Sequence, residues 1–409
     1  MKTVQEHKNG QCTMSDVQWK KVRLGNCCAV NPKTDTTKVL DDDVVALVRM
    51  EDVSNDGFIT SFSERTYKSL QKRGLTIFQN EDVIFAKITP CMENGKGALV
   101  RNMKSKICMG STEFHVLRAC DNVSIDFIYQ LTISKRFRQR AEMQMTGSAG
   151  QQRVPTAFLE DCLVSIPFKN NKPDLSAQRR IAAILTSADK VIDSTRRLIE
   201  KYKKMKQGMM EELFNEQCTM NNVQWVRKTL IELADYHNGM AFKPSDWVND
   251  GVKIIRIEQL NNPLGKYDYY QGVFPETSAI HNGDLIFSWS ATLKVAIWQW
   301  GDGVLNQHLF KVVPASNVDK HFLYYLLDYN MPKLGESSHG STMKHIKRKE
   351  LETYTVYIPR KIAEQKRIAS ILSSIDAKIA AEEKVLEKYE KVKKGLMERL
   401  LNEKCCSIT

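Results

Sequence analysis

The chain repeats itself. Gln11-Cys12-Thr13-Met14 followed by Val17-Gln18-Trp19 returns as Gln217-Cys218-Thr219-Met220 followed by Val223-Gln224-Trp225. A longer echo takes Gln178-Arg179-Arg180-Ile181-Ala182-Ala183-Ile184-Leu185 to Gln365-Lys366-Arg367-Ile368-Ala369-Ser370-Ile371-Leu372. The same register, without a gap, matches Asp189 to Asp376, Ile192 to Ile379, Tyr202 to Tyr389 and Gly208 to Gly395. It ends by matching Leu213-Phe214-Asn215-Glu216 to Leu400-Leu401-Asn402-Glu403. A match this long in one register records a duplication, so the chain must fold as two copies of one unit. Between these anchors the halves share a layout but little sequence. Asp82-Val83-Ile84-Phe85 answers Asp284-Leu285-Ile286-Phe287, and Phe127-Ile128-Tyr129 answers Phe322-Leu323-Tyr324. The order is therefore variable region, repeated segment, variable region, repeated segment.

The repeated segments read as long helices. Ile181, Ala188, Thr195, Tyr202 and Met209 fall seven apart, with Ile184/Leu185, Val191/Ile192, Leu198/Ile199 and Met205 between them. In the second copy Ile368, Ile375, Tyr389 and Leu396 occupy the same seam, which Glu382 interrupts. Lysine and glutamate crowd the other faces, and Pro173 and Pro359 precede the two starts. Two unrelated solvent-exposed amphipathic helices are the competing reading. Two homologous apolar stripes in one chain more economically bury each other, with Ile181, Leu185, Ile192 and Tyr202 set against Ile368, Leu372, Ile379 and Tyr389. A helix of about 39 residues spans about 58 Å. If each helix leads away from the domain before it, the two pack antiparallel and the chain imitates a symmetric dimer within one polypeptide.

The variable regions read as α+β. Val44–Val48, Asp82–Ala86, Phe114–Leu117, Val252–Ile257 and Leu309–Val313 are short apolar runs of strand type. Asn55-Asp56-Gly57, Asn94-Gly95 and Asn282-Gly283 supply turns, and helices are expected over Ile125–Met145 and Lys320–Asn330. A chain of 409 residues, 42% hydrophobic, calls for two or three domains with buried cores. Its formal net charge of +12 favours a polyanionic or an acidic protein partner. The N-terminal residues lack the apolar stretch of a signal peptide, and no run has the length of a membrane span. The ten cysteines are scattered, and the close pairs Cys27-Cys28 and Cys405-Cys406 are adjacent, so they read as free thiols in a reducing cytoplasm and not as metal ligands.

Catalytic motifs are missing. No Asn-Pro-Pro-Tyr-like segment is present to hold a flipped adenine; Asn262-Pro263-Leu264 reads as a turn. Asn94-Gly95-Lys96-Gly97 lacks the upstream glycine and following hydroxyl of a nucleotide-binding loop. Asp41-Asp42-Asp43 reads as a solvated loop more readily than as a metal site. The expectation is a non-catalytic chain with no metal and no cofactor of its own. The competing readings are a scaffold with duplicated peptide-binding heads and a cryptic methyltransferase or nuclease.

The whole pattern resembles the specificity subunits of type I restriction–modification systems. The resemblance is carried by the tandem variable domains and the paired Gln-x-x-Ile-Ala-x-Ile-Leu helix starts, each preceded by Ser165-Ile166-Pro167 or Tyr357-Ile358-Pro359. Trp19…Leu24 and Trp225…Leu230 open the two domains, and Gly147-Ser148…Gln151-Gln152-Arg153 and Gly340-Ser341…Lys344-His345 stand before the two strand ends. One departure is Ala177-Gln178, where Glu-Gln is usual, as at Glu364-Gln365.

The resemblance implies an α+β chain with two target-recognition domains joined by two long antiparallel coiled-coil helices, a pseudo-two-fold internal repeat. Residues 1–16 would be an N-terminal extension, 17–167 and 217–359 the recognition domains, and 168–216 and 360–409 the spacer helices. Each recognition domain would read one half of a split double-stranded DNA site. If the helices set the separation, the half-site centres would lie about 10–17 base pairs apart. The helices would also dock modification (methyltransferase) subunits, two of them, with restriction/translocase subunits joining the complex. S-adenosylmethionine, ATP and Mg would be used by those partners.

Phosphate contacts give affinity and base-edge contacts specificity, so donor-rich loops are the places to look. In the first domain these are Lys87, Thr89, Asn94 and Lys96 after a strand, and Ser148, Gln151, Gln152 and Arg153 in a flexible segment. In the second they are Ser288, Ser290, Thr292 and Lys294, then Asn306 and Gln307, and finally Lys344, His345 and Lys347. Each set competes with the plain reading of a solvated loop.

Overall fold

The structure is a computed structural model that describes residues 17–148, 150–214, 223–290, 292–336, 346 and 348–401. The chain divides into two compact units, one of Met1–Ser194 with Leu386–Thr409, the other of Thr195–Val385. Each unit thus holds one variable region and a portion of both long helices.

In the first unit the strand Asp82–Ala86 is buried along its whole length. Its side chains alternate between two cores, as a strand's period of two requires. Val83 and Phe85 pack with Leu117 and with Phe127, Ile128 and Leu131 of the helix Ile125–Ile133. Ile84 and Ala86 face the other way, toward Ala46, Val48, Phe78 and Cys108. A strand covered on both faces has no polar side, which explains the unbroken apolar run in the sequence. Each such fully buried side chain contributes about 1.5–3 kcal/mol.

The strand belongs to an antiparallel sheet ordered Cys28–Val30, Phe114–Ala119, Asp82–Ala86, Gly97–Leu99. The second sheet is ordered Ser63–Thr66, Val44–Val48, Cys108–Gly110, Thr76–Phe78, with a parallel pair at its centre. A third pairs Gln18–Arg23 with Leu163–Lys169, setting Trp19 opposite Pro167. The start and end of the variable region are thereby hydrogen-bonded side by side.

The second unit repeats this plan. One sheet is ordered Ala234–Asn238, Leu309–Pro314, Leu285–Ser288, Lys294–Ile297. Another is ordered Tyr269–Tyr270, Val252–Ile255, Gly303–Leu305, Ala279–Ile280, again with a parallel central pair. The strands Trp225–Thr229 and Thr355–Pro359 close the region, Trp225 opposite Pro359. Leu285 and Phe287 pack toward Phe322, Leu323 and Leu326, while Ile286 packs toward Ile255 and Leu305.

Two expected helices differ in extent. The stretch expected over Ile125–Met145 is two helices, Ile125–Ile133 and Lys135–Glu142, because Ser134 is extended and its hydroxyl caps the second by accepting from the Phe137 N–H at 3.3 Å. In the second unit the helix runs past Asn330, covering Lys320–Glu336 with Pro332 inside it. The strand expected over Val252–Ile257 stops at Ile255, and Ile257 opens a short helix.

The long helices are Leu175–Phe214 and Ile362–Leu400. In the first unit Ile181, Ala182 and Leu185 share a core with Leu401, against which Leu396, Met397 and Leu400 pack. In the second, Met210, Leu213 and Phe214 share a core with Ile368, Ala369 and Leu372. Ile192 and Ile379 are buried as well. Tyr202 is half-buried, with the Lys378 ammonium 5.9 Å from its ring centroid, and Tyr389 is exposed.

The repeated glutamine at each helix start has one role twice. Gln178 is fully buried and accepts from the Ser124 N–H at 2.9 Å, at the N-terminus of the helix Ile125–Ile133. Gln365, equally buried, accepts from the Asp319 N–H at 2.8 Å, just before the helix Lys320–Glu336. Each thus satisfies a backbone donor beside the helix that its variable region packs against it.

Candidate nucleic-acid interface

In the first unit, two segments far apart in sequence lie side by side. The chain leaves the buried strand at Lys87, whose carbonyl accepts from the Val154 N–H at 2.8 Å. Ile88 then bridges Arg153, and the Thr89 N–H donates to the Gln152 carbonyl at 3.0 Å. Lys87–Thr89 and the run ending at Gln151, Gln152 and Arg153 therefore form one surface. Ser148, Gln151, Gln152 and Asn94 are exposed there, while Lys87, Thr89 and Lys96 are half-buried.

Several candidate side chains are already engaged. The Lys96 ammonium donates to the Met50 carbonyl at 2.7 Å, and the Thr89 hydroxyl to Glu93 at 3.0 Å. Arg153 donates to the Glu113 carboxylate through Nε and Nη2, at 2.9 and 2.8 Å. That guanidinium holds the Glu113 carboxyl below its usual range. Arg153 must leave Glu113 before it can fork onto a base. The side chains of Asn94, Gln151 and Gln152 are exposed, and such amides have the donor and acceptor that an adenine edge matches.

A residue that sequence reasoning passed over shapes this surface. Arg138, on the helix Lys135–Glu142, is 6% exposed and spans the turn after Pro90. It donates to the carbonyls of Met92, Lys96 and Gly95 at 3.1, 3.1 and 3.2 Å, and to that of Thr132 at 2.8 Å. Its carbon lies 4.1 Å from the Phe85 ring centroid. Burial pushes the guanidinium down to about 9, so it stays charged at neutral pH. Gly95 completes the turn: its φ is +88°, and a Cβ there would sit 2.6 Å from the Asn55 carbonyl oxygen.

Nearby, His115 is a buried neutral imidazole. Its Nε2 donates to the Val154 carbonyl at 2.8 Å, and Nδ1 accepts from the Asn31 amide at 3.1 Å. Burial lowers its pKa below the usual histidine value, against a raising effect of the Val154 hydrogen bond.

In the second unit the structure joins the Ser288–Lys294 loop to Asn306–His308. The Trp289 indole donates to the Gln307 carbonyl at 3.1 Å, its backbone N–H donates to the His308 carbonyl at 3.3 Å, and its ring lies 5.4 Å from that of His308. Gln307 and Thr292 are exposed and Asn306 is half-buried. Ser288 and Ser290 are buried, and the Ser288 hydroxyl donates to the Thr292 carbonyl at 2.7 Å, so these serines shape the loop from inside. The Lys294 ammonium is held at 2.6 Å by the Leu260 carbonyl. Lys344, His345 and Lys347 lie outside the described residues. Ile346, between them, donates its N–H to the Trp289 carbonyl at 2.9 Å, which puts its backbone beside this loop.

The second unit also carries an aromatic group that sequence reading missed. Phe242, Tyr270 and Phe274 stack in succession, with centroids 5.2 and 6.5 Å apart. Arg256, paired with Asp268, lies 5.0 Å from the ring of the exposed Trp247. Among the described residues no group of acidic, histidine or cysteine side chains is arranged to hold a metal, and no helix is long and apolar enough to cross a membrane.

Two copies of one α/β unit, each with a donor-rich loop surface and each followed by a long helix, define a duplicated recognition protein. The family of the type I restriction modification DNA specificity domain matches residues 16–204 and 222–391, and the chain belongs to it. The specificity subunit of the type I restriction enzyme EcoAI from Escherichia coli is 31% identical over 221 residues, 53% of this chain and 36% of that one. This alignment spans little more than a third of that relative's length. The MjaVIII specificity subunit from Methanocaldococcus jannaschii is 27% identical over 313 residues, 69% of this chain and 71% of that one. The crystal structure of a type I restriction–modification S subunit from M. genitalium shares the fold, with a TM-score of 0.59 at 16% identity over 95% of this chain and 97% of that one. A chain from a structure of type I R-M complex assembly and conformational transition gives 0.57 at 19% identity, covering 94% of this chain and 98% of that one.

Proposed function

We propose that this chain is the part of a type I restriction–modification complex that chooses the DNA sequence, reading a bipartite double-stranded target with one half-site per variable domain. The observation that carries this reading is the same sheet order occurring twice with different loop side chains. The first domain presents Asn94, Gln151 and Gln152, and the second presents Thr292, Asn306 and Gln307. Equal scaffolds with unequal loops suit two different half-sites. Arg153, Lys87, Lys96, Lys294 and the run Lys344, His345 and Lys347 supply positive charge for the phosphates.

The two long helices form an antiparallel coiled coil. In each unit the beginning of one meets the end of the other, which supports that arrangement. This spacer docks two modification subunits, and restriction subunits join them. Methylation and cleavage belong to those partners, which use S-adenosylmethionine, ATP and Mg; this chain contributes selection. The test is methylome sequencing with and without the gene. Loss of one split adenine-methylation motif is the expected result. Intact modification subunits with no motif affected overturn the proposal.

A further inference from the structure

Each long helix carries one aspartate that a lysine of the other helix meets. In the first unit Asp189, 5% exposed, pairs through Oδ1 with the Lys393 ammonium. Its Oδ2 accepts from the Gln130 amide at 2.8 Å, and Gln130 belongs to the helix Ile125–Ile133 of the variable domain. In the second unit Asp376 pairs through Oδ1 with Lys206 at 2.8 Å, and its Oδ2 accepts from the Tyr325 hydroxyl at 2.7 Å. Tyr325 belongs to the helix Lys320–Glu336. The internal repeat relates the two sets residue by residue: Asp189 to Asp376, Lys206 to Lys393, Gln130 to Tyr325. The helix that gives the aspartate in one set gives the lysine in the other.

Asp189 is buried, and the side chains of Lys393 and Lys206 are 18% and 17% exposed. An apolar stripe with a seven-residue repeat packs almost as well after a slip of one heptad, so leucine and isoleucine alone leave the alignment open. Here the slip is costly. Moving one heptad in either direction sets Asp189 against Leu386 or Leu400 in place of Lys393. It likewise sets Asp376 against Ile199 or Leu213 in place of Lys206. Against leucine or isoleucine each carboxylate loses its counter-charge, and the buried Asp189 has no water to replace it, whereas the native alignment leaves each one paired.

We propose that these two Asp–Lys pairs are a register lock that admits one antiparallel alignment of the long helices, and that Gln130 and Tyr325 fasten each variable domain to it. The inference rests on the coiled coil proposed above. All six are positioning residues: they fix where each variable domain sits on the long helices.

The test is a distance measurement on the full chain, with genetically encoded nitroxide labels at Lys190 and Lys394, exposed positions of the first unit. The otherwise unaltered chain gives one short distance. Asp189→Leu, Lys393→Leu, Asp376→Leu and Lys206→Leu together keep the helices apolar and folded but add a second population, shifted along the axis by about 10 Å for seven residues. A single unshifted distance in that variant overturns the lock. Absence of the short distance in the unaltered chain overturns the coiled coil and the lock with it. Should the leucine variant fail to fold, two others decide. Asp189→Lys with Asp376→Lys must lose the single distance, and adding Lys393→Asp with Lys206→Asp must restore it. Any other outcome of that pair overturns the proposal.

Discussion

Replacing Arg138 by methionine tests whether the turn after Pro90 is held from beneath. Methionine keeps much of the apolar stem against Phe85 and removes donors to four carbonyls. Two of those carbonyls have a second donor: Met92 also accepts from the Gly95 N–H, and Lys96 from the Ala86 N–H. The cost therefore falls mainly on Thr132 and Gly95. An orphaned buried polar group costs about 1–3 kcal/mol, so two of them should cost the turn and its support about 2–6 kcal/mol of local stability. Five of the six tryptophans follow residue 222, so tryptophan fluorescence reports mostly on the other unit. Hydrogen exchange read by mass spectrometry is the better assay. The amides of Asn94, Gly95 and Lys96 donate within the turn and report its opening directly. At 1.4 kcal/mol per factor of ten, their protection should fall by about 30- to 20,000-fold. Peptides over Gln18–Arg23 should keep theirs. A change below about threefold in the turn, or an equal loss in both segments, refutes the reasoning.

Other outcomes follow from the same contacts. The folded state binds a proton on His115 more weakly than the unfolded chain, whose histidine titrates near 6.5. Stability present at pH 7 and above should thus be lost as pH falls below about 6.5 toward the lowered folded value; the melting temperature of His115→Gln should drop less between pH 7.5 and 5.5 than that of the unaltered chain. Gln178→Leu strands the Ser124 N–H and Gln365→Leu the Asp319 N–H, each costing about 1–3 kcal/mol in urea denaturation. An additive double variant supports two separate junctions. Gln151→Ala with Gln152→Ala should relax the methylated motif in one half-site and leave the other half intact, read by methylome sequencing of the complex.

What the sequence revealed depended on whether the signal was local. The strand Asp82–Ala86 and its counterpart Leu285–Ser288 were legible because burial on both faces leaves their central residues apolar. The break at Ser134 was not, since a capping serine inside an otherwise helical run looks like any other polar residue until its backbone is seen. Lys87–Thr89 and the segment ending at Arg153 were each recognisable as donor-rich loops. Their adjacency depends on the Ile88–Arg153 bridge, a long-range pairing that no window of sequence contains. Arg138 was hidden because Lys135–Glu142, with four basic residues, reads as a solvated helix. The lysines show a different limit. Composition places Lys96 and Lys294 in donor-rich loops, but does not reveal the carbonyl of its own domain to which each ammonium donates.

The strand pairs Gln18–Arg23 with Leu163–Lys169 and Trp225–Thr229 with Thr355–Pro359 give each variable region the form of a cassette on a two-stranded stem. Everything between the two strands of a stem enters and leaves the structure at one place. A foreign cassette grafted there would have to end on the same two strands and keep the helix contacts that Gln130 and Tyr325 make. The ladder that closes each domain is also the seam along which one variable region would be traded for another.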